Sequence, residues 1–396
     1  MNKRIKLVAL TPVIFLLTTI SGFNQITRGE VTGQINAIQT GVPFLTIAPD
    51  SRAGGMGDVG VATSPDLSSQ HWNPAKYAFI KGSGGVSLSY SPWLRNLIGD
   101  INLAYLSGYK RIDKKQVVSA SLLYFSLGNI TFTDMFGNTT RNFNPNEFAV
   151  DLAYSRAFSD YLSGGLSFRY IYSNLTGGTS VGGAETKPGM SFASDVSIYY
   201  NRNIKVSDMN GNAGFGVNIS NIGTKISYTD DQDPDFIPTN LRVGGIFGLD
   251  FDQYNSLSVA LDVNKLLVPT PPVYDDSTGA IIAGMNPNVS VPVGMFQSFY
   301  DAPGGIKEEF HEITYSLGFE YWYNKQFAIR TGYFHEHATK GNRKYFTVGL
   351  GLRLNVFSLD FSYLLPVYQN HPLAHTLRFT LAFDFDSFKK QEKSTN

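Results

Sequence analysis

The 396-residue chain has no cysteine, which excludes a disulfide framework, thiol catalysis and thiolate metal centres. It has little charge: Asp, Glu, Lys and Arg make up 16% of residues, against about 25% in ordinary soluble domains. Neither sign is in excess, with 32 Lys plus Arg against 32 Asp plus Glu. That balance argues against nucleic acid as a partner, because such binders carry a basic surplus to displace counterions from phosphates. Beyond the first twenty residues no apolar run approaches the 18 or so needed for a membrane helix. A G-x-S-x-G string occurs at Gly178–Gly182, but it stands in the middle of a glycine-rich link rather than at a strand-to-helix turn, so no serine hydrolase elbow is read from it.

Aromatic residues are plentiful: 29 Phe and 22 Tyr bring the aromatic share, with Trp, to 14%. The chain opens with Lys3, Arg4 and Lys6, then an apolar run from Leu7 to Ile20, then small and polar residues. This is the layout of a secretory signal peptide, assigned here to residues 1–24. A Cys-free composition is in keeping with an exported bacterial protein.

From Gly84 onward the sequence alternates. In "LRFTLAFDF" Leu377, Phe379, Leu381, Phe383 and Phe385 fall on one face, and Arg378, Thr380, Ala382 and Asp384 on the other. "SLDFSYLL" and "HEITYSLGFEYWY" repeat the pattern, with Asp360 and Glu320 on the polar side. Side chains alternate across a strand, so each segment has an oily and a polar face. Fourteen such segments are predicted, near 84–92, 100–111, 115–127, 146–157, 161–173, 190–202, 212–220, 239–250, 255–265, 309–322, 325–335, 343–354, 355–365 and 374–386. Most are longer than the ~5–6 residues of a soluble strand and suit the ~9–11 needed to cross a bilayer at a tilt. Tight links such as "RIDKK" and "FSDY" alternate with long ones at 128–145, 174–189, 221–238 and 266–308. Short turns on one rim and long loops on the other are the pattern of an outer-membrane barrel. The expected fold is therefore all-β, a 14-stranded antiparallel transmembrane β-barrel over residues 84–386, located in the cell outer membrane with both termini periplasmic. The link at 203–210 is long for a periplasmic turn, and 212–220 is the weakest strand. Arg156 falls on the oily face near the periplasmic end, where it can snorkel to headgroups.

Ahead of the strands stands "SRAGGMGDVGVATSPDLSSQHWNPA", in which Gly55, Gly57 and Gly60 spell G-x-G-x-x-G. A dinucleotide loop needs a strand directly before it, a helix after it and an acidic residue about 20 positions on. Here Pro49 to Arg52 intervene, Pro65 interrupts the following stretch, and Lys76 and Lys81 occupy the region where the acid belongs. No cofactor is assigned. The glycines instead permit close backbone approach, so residues 25–83 are predicted to fold into the barrel lumen. Arg52, Gly55, Gly57, Asp58, Gly60, Asn73 and Pro74 are the residues assigned to that plug. Arg52, Asp58 and Asn73 are expected to pair with lumen-facing charges such as Asp151, Arg169, Arg330, Arg353, Asp360 and Asp384. A fixed plug is favoured over a moving hatch. Residues 387–396 read as a polar periplasmic tail.

Six histidines include the pairs His335/His337 and His371/His375, both placed at the outer rim. They are read as rim residues, so neither a metal site nor a catalytic residue is assigned. The connection 266–308 is too long for a turn and too oily for a linker, with Ile281, Ile282, Met285, Met295, Phe296, Phe299 and Tyr300 among its residues. Either it packs as a lid on its own barrel, or it docks a partner through Met295, Phe296, Phe299 and Tyr300.

"SRAGGMGDVGVA" followed by "HWNPA" resembles the N-terminal segment of FadL-like outer-membrane barrels. With the signal peptide, "GVPFLTIAPDSRAGGMGDVGVAT", fourteen strands and the aromatic last strand, nearly the whole chain is similar to the PorV family, barrel subunits of the type IX secretion system of Bacteroidetes. The resemblance implies a non-enzymatic subunit. Its implied partners are the giant translocon barrel, secreted proteins with a C-terminal sorting domain, a sortase-like attachment complex, and outer-membrane lipid or lipopolysaccharide. The alternative is a FadL-type channel for hydrophobic small molecules.

Overall fold

The computed structural model describes residues 35–386 except 96–97, 134, 179–184, 231–232, 276 and 369–370. The predicted signal peptide, the first ten residues of the predicted plug and the tail at 387–396 lie outside the described residues.

Fourteen strands form one closed antiparallel barrel in which each pairs with its neighbours in the chain. They are β1 Gly84–Pro92, β2 Asn102–Arg111, β3 Gln116–Ser126, β4 Asn146–Ala157, β5 Leu162–Asn174, β6 Gly189–Val206, β7 Met209–Gly223 and β8 Asn240–Asp250. There follow β9 Asn255–Leu266, β10 Thr314–Tyr323, β11 Phe327–His335, β12 Lys344–Arg353, β13 Phe357–Pro366 and β14 Leu377–Asp384. β14 closes on β1 in the register Leu88↔Leu381, so no sheet edge is left unpaired.

Burial inverts the order of a soluble core. Leu152, Leu166, Phe168, Ile329 and Leu350 are each more than half exposed, whereas Ser155, Ser163, Asp195 and Ser316 on the opposite faces are inaccessible. Exposed apolar side chains in every strand are costly in water and stabilising in hydrocarbon. Aromatic pairs such as Phe168–Phe192 (5.8 Å) continue across strands on that outer face. Arg156 is exposed on it next to Gln116, at the end of β4 near the turn 112–115.

Turns of two to four residues join the strands at one rim, for example 112–115, 158–161 and 251–254, and the long connections are gathered at the other. β6 and β7 differ from expectation: they continue to Val206 and from Met209, leaving only Ser207 and Asp208 as the turn, with Ser207 at φ 54°. Alternation fades there because residues 202–206 are exposed or half-buried on both faces. β10 begins at Thr314, and the expected strand start at 309 is instead a helical turn, Ile306–His311. Ile306 and Phe310 stand four residues apart on its exposed side while Glu309 is buried.

Residues 41–80 pack against the polar faces of the strands in two short helices, α1 Ser51–Gly54 and α2 Ser69–Trp72, and two 3₁₀ turns, Pro43–Thr46 and Pro74–Phe79. Met56, Val59, Val61 and Ala62 are fully buried there, forming a small apolar cluster with Ile246 and Ala260.

Candidate functional site

The N-terminal segment is held by polar contacts. Asp50 caps α1, accepting from the amide of Ala53 at 3.0 Å, and also accepts from Trp72 Nε1 at 2.6 Å. Burial, reinforced by neighbouring Asp66, pushes the Asp50 carboxyl up to about 6. One turn on, Arg52 reaches two carboxylates: Glu320 of β10 at 2.8 Å and Asp66 at 2.7 Å. Glu320 also accepts from Arg330 at 2.7 Å, and Arg330 donates to Asp360 at 2.5 Å. A chain of alternating charge thus links the segment to β10, β11 and β13, with each buried ion neutralised by the next.

The glycines fit where the backbone has no room. At Gly57, φ is +71° and an added methyl would meet the backbone of Tyr333 at 2.7–2.9 Å. At Gly60 it would collide with the Trp72 ring. Gly55 lies against Gly349, where a methyl would be 3.0 Å from Cα. The Gly57 amide donates to Thr347 Oγ1 at 2.8 Å. The amides of Gly60 and Val61 both donate to Asp262 Oδ2, at 2.7 and 2.9 Å. This loop does cradle an anion, as nucleotide loops do, but the anion is the protein's own β9 carboxylate.

Asp58 accepts from Tyr345 at 2.5 Å and lies 3.5 Å from Arg378. Asn73 donates to the carbonyls of Val61 and Ile198, at 2.9 and 3.0 Å, and caps the turn that begins at Pro74. The Pro74 carbonyl accepts from Ser155 at 2.7 Å. All seven residues expected in the lumen segment therefore touch strand residues or one another. The expected ion-pair partners need correction. Among the described residues Arg52 and Asp58 pair with Glu320, Asp66 and Arg378, and with none of the six named charges. Arg169 is paired with both Asp151 and Asp195, and Arg353 stacks on Trp322 at 4.4 Å. Alternation places a charge on the inner face but does not fix its height, and height decides which pairs meet. Asp262 and Arg378 carried only that inward signal.

The second region is the long connection 267–313, whose described residues are folded. It carries a two-stranded ribbon (Val273–Tyr274 with Ile281–Ala283), α3 Val291–Gln297 and α4 Ile306–His311. Its base is pinned by buried charges. Lys265 of β9 binds Glu309 at 2.9 Å and Glu312 at 2.6 Å, and Lys340 binds Glu312 at 3.0 Å and Glu308 at 2.5 Å. Thr270 Oγ1 donates to Glu312 at 2.6 Å, and Gln297 and the Thr270 amide donate to Asp301. Burial pushes the Asp301 carboxyl up.

The upper side of the same element is apolar and bare. Phe296 is 74% exposed, Tyr300 64% and Phe299 47%, with Met295 half-buried beside them. Val293, one of the apolar residues of this connection in the sequence, is also exposed, as are Ile306 and Phe310, which were not singled out from the sequence. His311 and His337 stack at 3.5 Å, and His375 accepts from or donates to Tyr363 at 2.5 Å. Among the described residues no three metal-ligating side chains converge.

A family profile described as "Type IX secretion system protein PorV" matches residues 30–273. No curated protein matches the chain. Among solved structures it is similar to the toluene transporter TbuX of Ralstonia pickettii, with 11% identity, 85% of this chain and 97% of that chain covered, and a TM-score of 0.42. The toluene transporter TodX of Pseudomonas putida gives 10%, 88%, 98% and 0.44. A FadL homologue from Pseudomonas aeruginosa gives 12%, 88%, 99% and 0.42. Likenesses this remote do not carry function from one protein to another.

Proposed function

The chain belongs to the PorV family of type IX secretion system proteins, and from that premise we propose that it is a non-enzymatic docking subunit whose working surface is the outer, lid-covered rim. The barrel sits in the outer membrane. The rim binds the giant translocon barrel and secreted cargo with a C-terminal sorting domain. Cargo then passes to the sortase-like attachment complex. Both termini are periplasmic in this reading, and outer-membrane lipid contacts the apolar outer face.

One observation carries the proposal. The lid is fixed from below by Lys265 and Lys340 on three glutamates, while Phe296 and Tyr300 are largely exposed and Phe299, half-exposed, lies with its ring 5.9 Å from Lys265 Nζ. Rigid, exposed aromatics are the usual anchors of protein interfaces, and an apolar patch of this kind on a folded loop marks a contact surface. Met295 borders it. Residues 36–83 act as a fixed plug in this scheme. A channel that opens by moving this segment would have to break the Arg52–Glu320 pair and the two hydrogen bonds from the Gly60 and Val61 amides to Asp262.

Removing residues 290–302 tests the proposal. Secretion or cargo capture is expected to be lost while the barrel keeps its heat-modifiable gel mobility, and normal secretion would refute the docking role. Pull-down of the tagged, intact protein supplies the second reading. Recovery of a giant barrel with sorting-domain proteins supports docking, and a lone barrel carrying lipid supports a channel for hydrophobic small molecules.

A further inference from the structure

The outer wall of the barrel is uneven across β1 to β4. The strand register lines up Val86, Gly108, Ala120 and Leu152 in one row of outward positions. One step farther from the short-turn rim the row is Leu88, Leu106, Leu122 and Val150. Two small residues side by side among large ones leave a groove of about 540 Å³, with Gly108 and Ala120 as its floor. Val86, Leu106, Leu122 and Leu152 wall it and are all exposed.

One step nearer to that rim the groove ends at Lys110, which is exposed on the outer face opposite Val118. Lys114 and Lys115 follow in the turn 112–115, and Arg156 at the end of β4 is exposed beside them. Among the described residues none of these four cations has an acceptor for its side chain. The carboxylate of the turn, Asp113, is already taken. It accepts from the amides of Lys115 and Gln116 at 2.7 and 2.8 Å and from Gln116 Nε2 at 2.5 Å. Other turns of this rim differ: 158–161 and 251–254 each carry one acid and no base, and 354–356 has no charge. A lysine on a lipid-facing wall extends to the headgroup layer, and basic residues grouped there attract anionic lipid. Here the cation also stands at the end of an apolar groove, so the matching ligand is anionic at one end and a hydrocarbon chain at the other.

We propose that this groove is a binding site for one anionic glycerophospholipid, with an acyl chain lying over Gly108 and Ala120 and the phosphate held by Lys110 beside Arg156. The proposal rests on the placement of the barrel in the outer membrane with its short turns at the periplasmic leaflet. It goes beyond general lipid contact by giving one sector of the wall one lipid of defined charge.

The test is native mass spectrometry of the purified full-length protein in detergent, titrated with phosphatidylglycerol or phosphatidylcholine of identical acyl chains. The first phosphatidylglycerol should bind tenfold or more tighter than the second, and tenfold tighter than phosphatidylcholine. A120F fills the groove and should weaken that first binding at least fivefold. K110Q should reduce the headgroup preference below threefold, and K110R should retain it. K205Q removes an equal charge from the β6–β7 hairpin and should leave both readings unchanged. Equal binding of the two lipids, a series of equally weak adducts, no effect of A120F, or a K205Q loss as large as that of K110Q overturns the proposal. A dimer that excess lipid does not dissolve also overturns it, since a second copy then covers the groove. Failure of the membrane placement reads differently, as a chain that stays folded and monomeric without detergent. Should A120F lose heat-modifiable mobility, the comparison of K110Q with K205Q decides.

Discussion

Arg52 and Glu320 form a two-pronged pair inside the barrel, Nε to Oε2 at 2.9 Å and Nη2 to Oε1 at 2.8 Å, although 268 residues separate them. The pair ties the segment before the barrel to its tenth strand. Breaking a buried pair by removing one partner costs about 3–5 kcal/mol. The two ends are unequal, however. Arg52→Ala leaves Glu320 with Arg330 and takes the ion pair from Asp66, which is partly exposed, whereas Glu320→Ala deprives both Arg52 and the fully buried Arg330 of a carboxylate, leaving them Asp66 and Asp360. Glu320→Ala is therefore expected to lower the urea unfolding midpoint more than Arg52→Ala. No loss in either variant would mean that the pair does not hold the segment.

Gly57 gives a second test of the same packing. A methyl there faces the Tyr333 backbone, which cannot swing aside, and the φ of +71° adds strain of its own. The conformational part alone is worth about 1 kcal/mol, so Gly57→Ala should destabilise by more than that. Gly279 has a similar φ of +68° but nothing within 4 Å of its would-be methyl. Gly279→Ala should show only the conformational part. Thermal unfolding of the two variants side by side separates contact from backbone strain.

Asp50 makes the N-terminal segment pH-sensitive in a defined window. Its carboxyl, raised from 3.8 to about 6, holds its proton more tightly in the folded protein than in the unfolded chain. Its contribution to stability is thus full below about 4 and is lost as pH rises through about 6. Trp72 reports on this directly, since its Nε1 donates to Asp50 at 2.6 Å. With Trp93 and Trp322 replaced by Phe, Trp72 emission should shift with a midpoint near 6, and Asp50→Asn should abolish the transition. A midpoint near 4 would show that Asp50 is not held in a dry site.

The barrel was legible because each crossing strand must show oil outward and polarity inward, so Leu381 and Thr380 declare their faces without knowledge of their neighbours. Legibility ended where that demand ends. Beyond the bilayer β6 and β7 need no alternation, and their hairpin at Ser207–Asp208 went unseen. Inside the barrel, the sequence marked Arg52 and Glu320 as inward or lumenal but not as partners, since pairing depends on strand tilt and on the path of the segment. The buried Lys265–Glu312 contact was hidden for a related reason: Glu312 reads as an inward position of a strand starting at 309, whereas the chain is helical to His311 and Glu312 ends that helix.

That contact divides the lid into two functionally distinct sides. Phe296 and Tyr300 are largely exposed and Phe299 about half so, so replacing all three with Ala should change stability little beyond the Phe299 contact with Lys265, within about 0.5 kcal/mol per surface site. The same triple variant should lose partner capture, because truncating interface aromatics costs ~2 kcal/mol or more at each anchor. Lys265→Ala should act in the opposite way. It leaves Glu309 buried without a cation and Glu312 with Lys340 alone, so the lid should open to limited proteolysis between residues 267 and 313 even though every aromatic is intact. Capture assays and proteolysis on both variants read the two sides independently. If the triple variant captures partners normally, the docking surface lies elsewhere on the rim. If Lys265→Ala leaves the lid resistant, the buried charges do not position it.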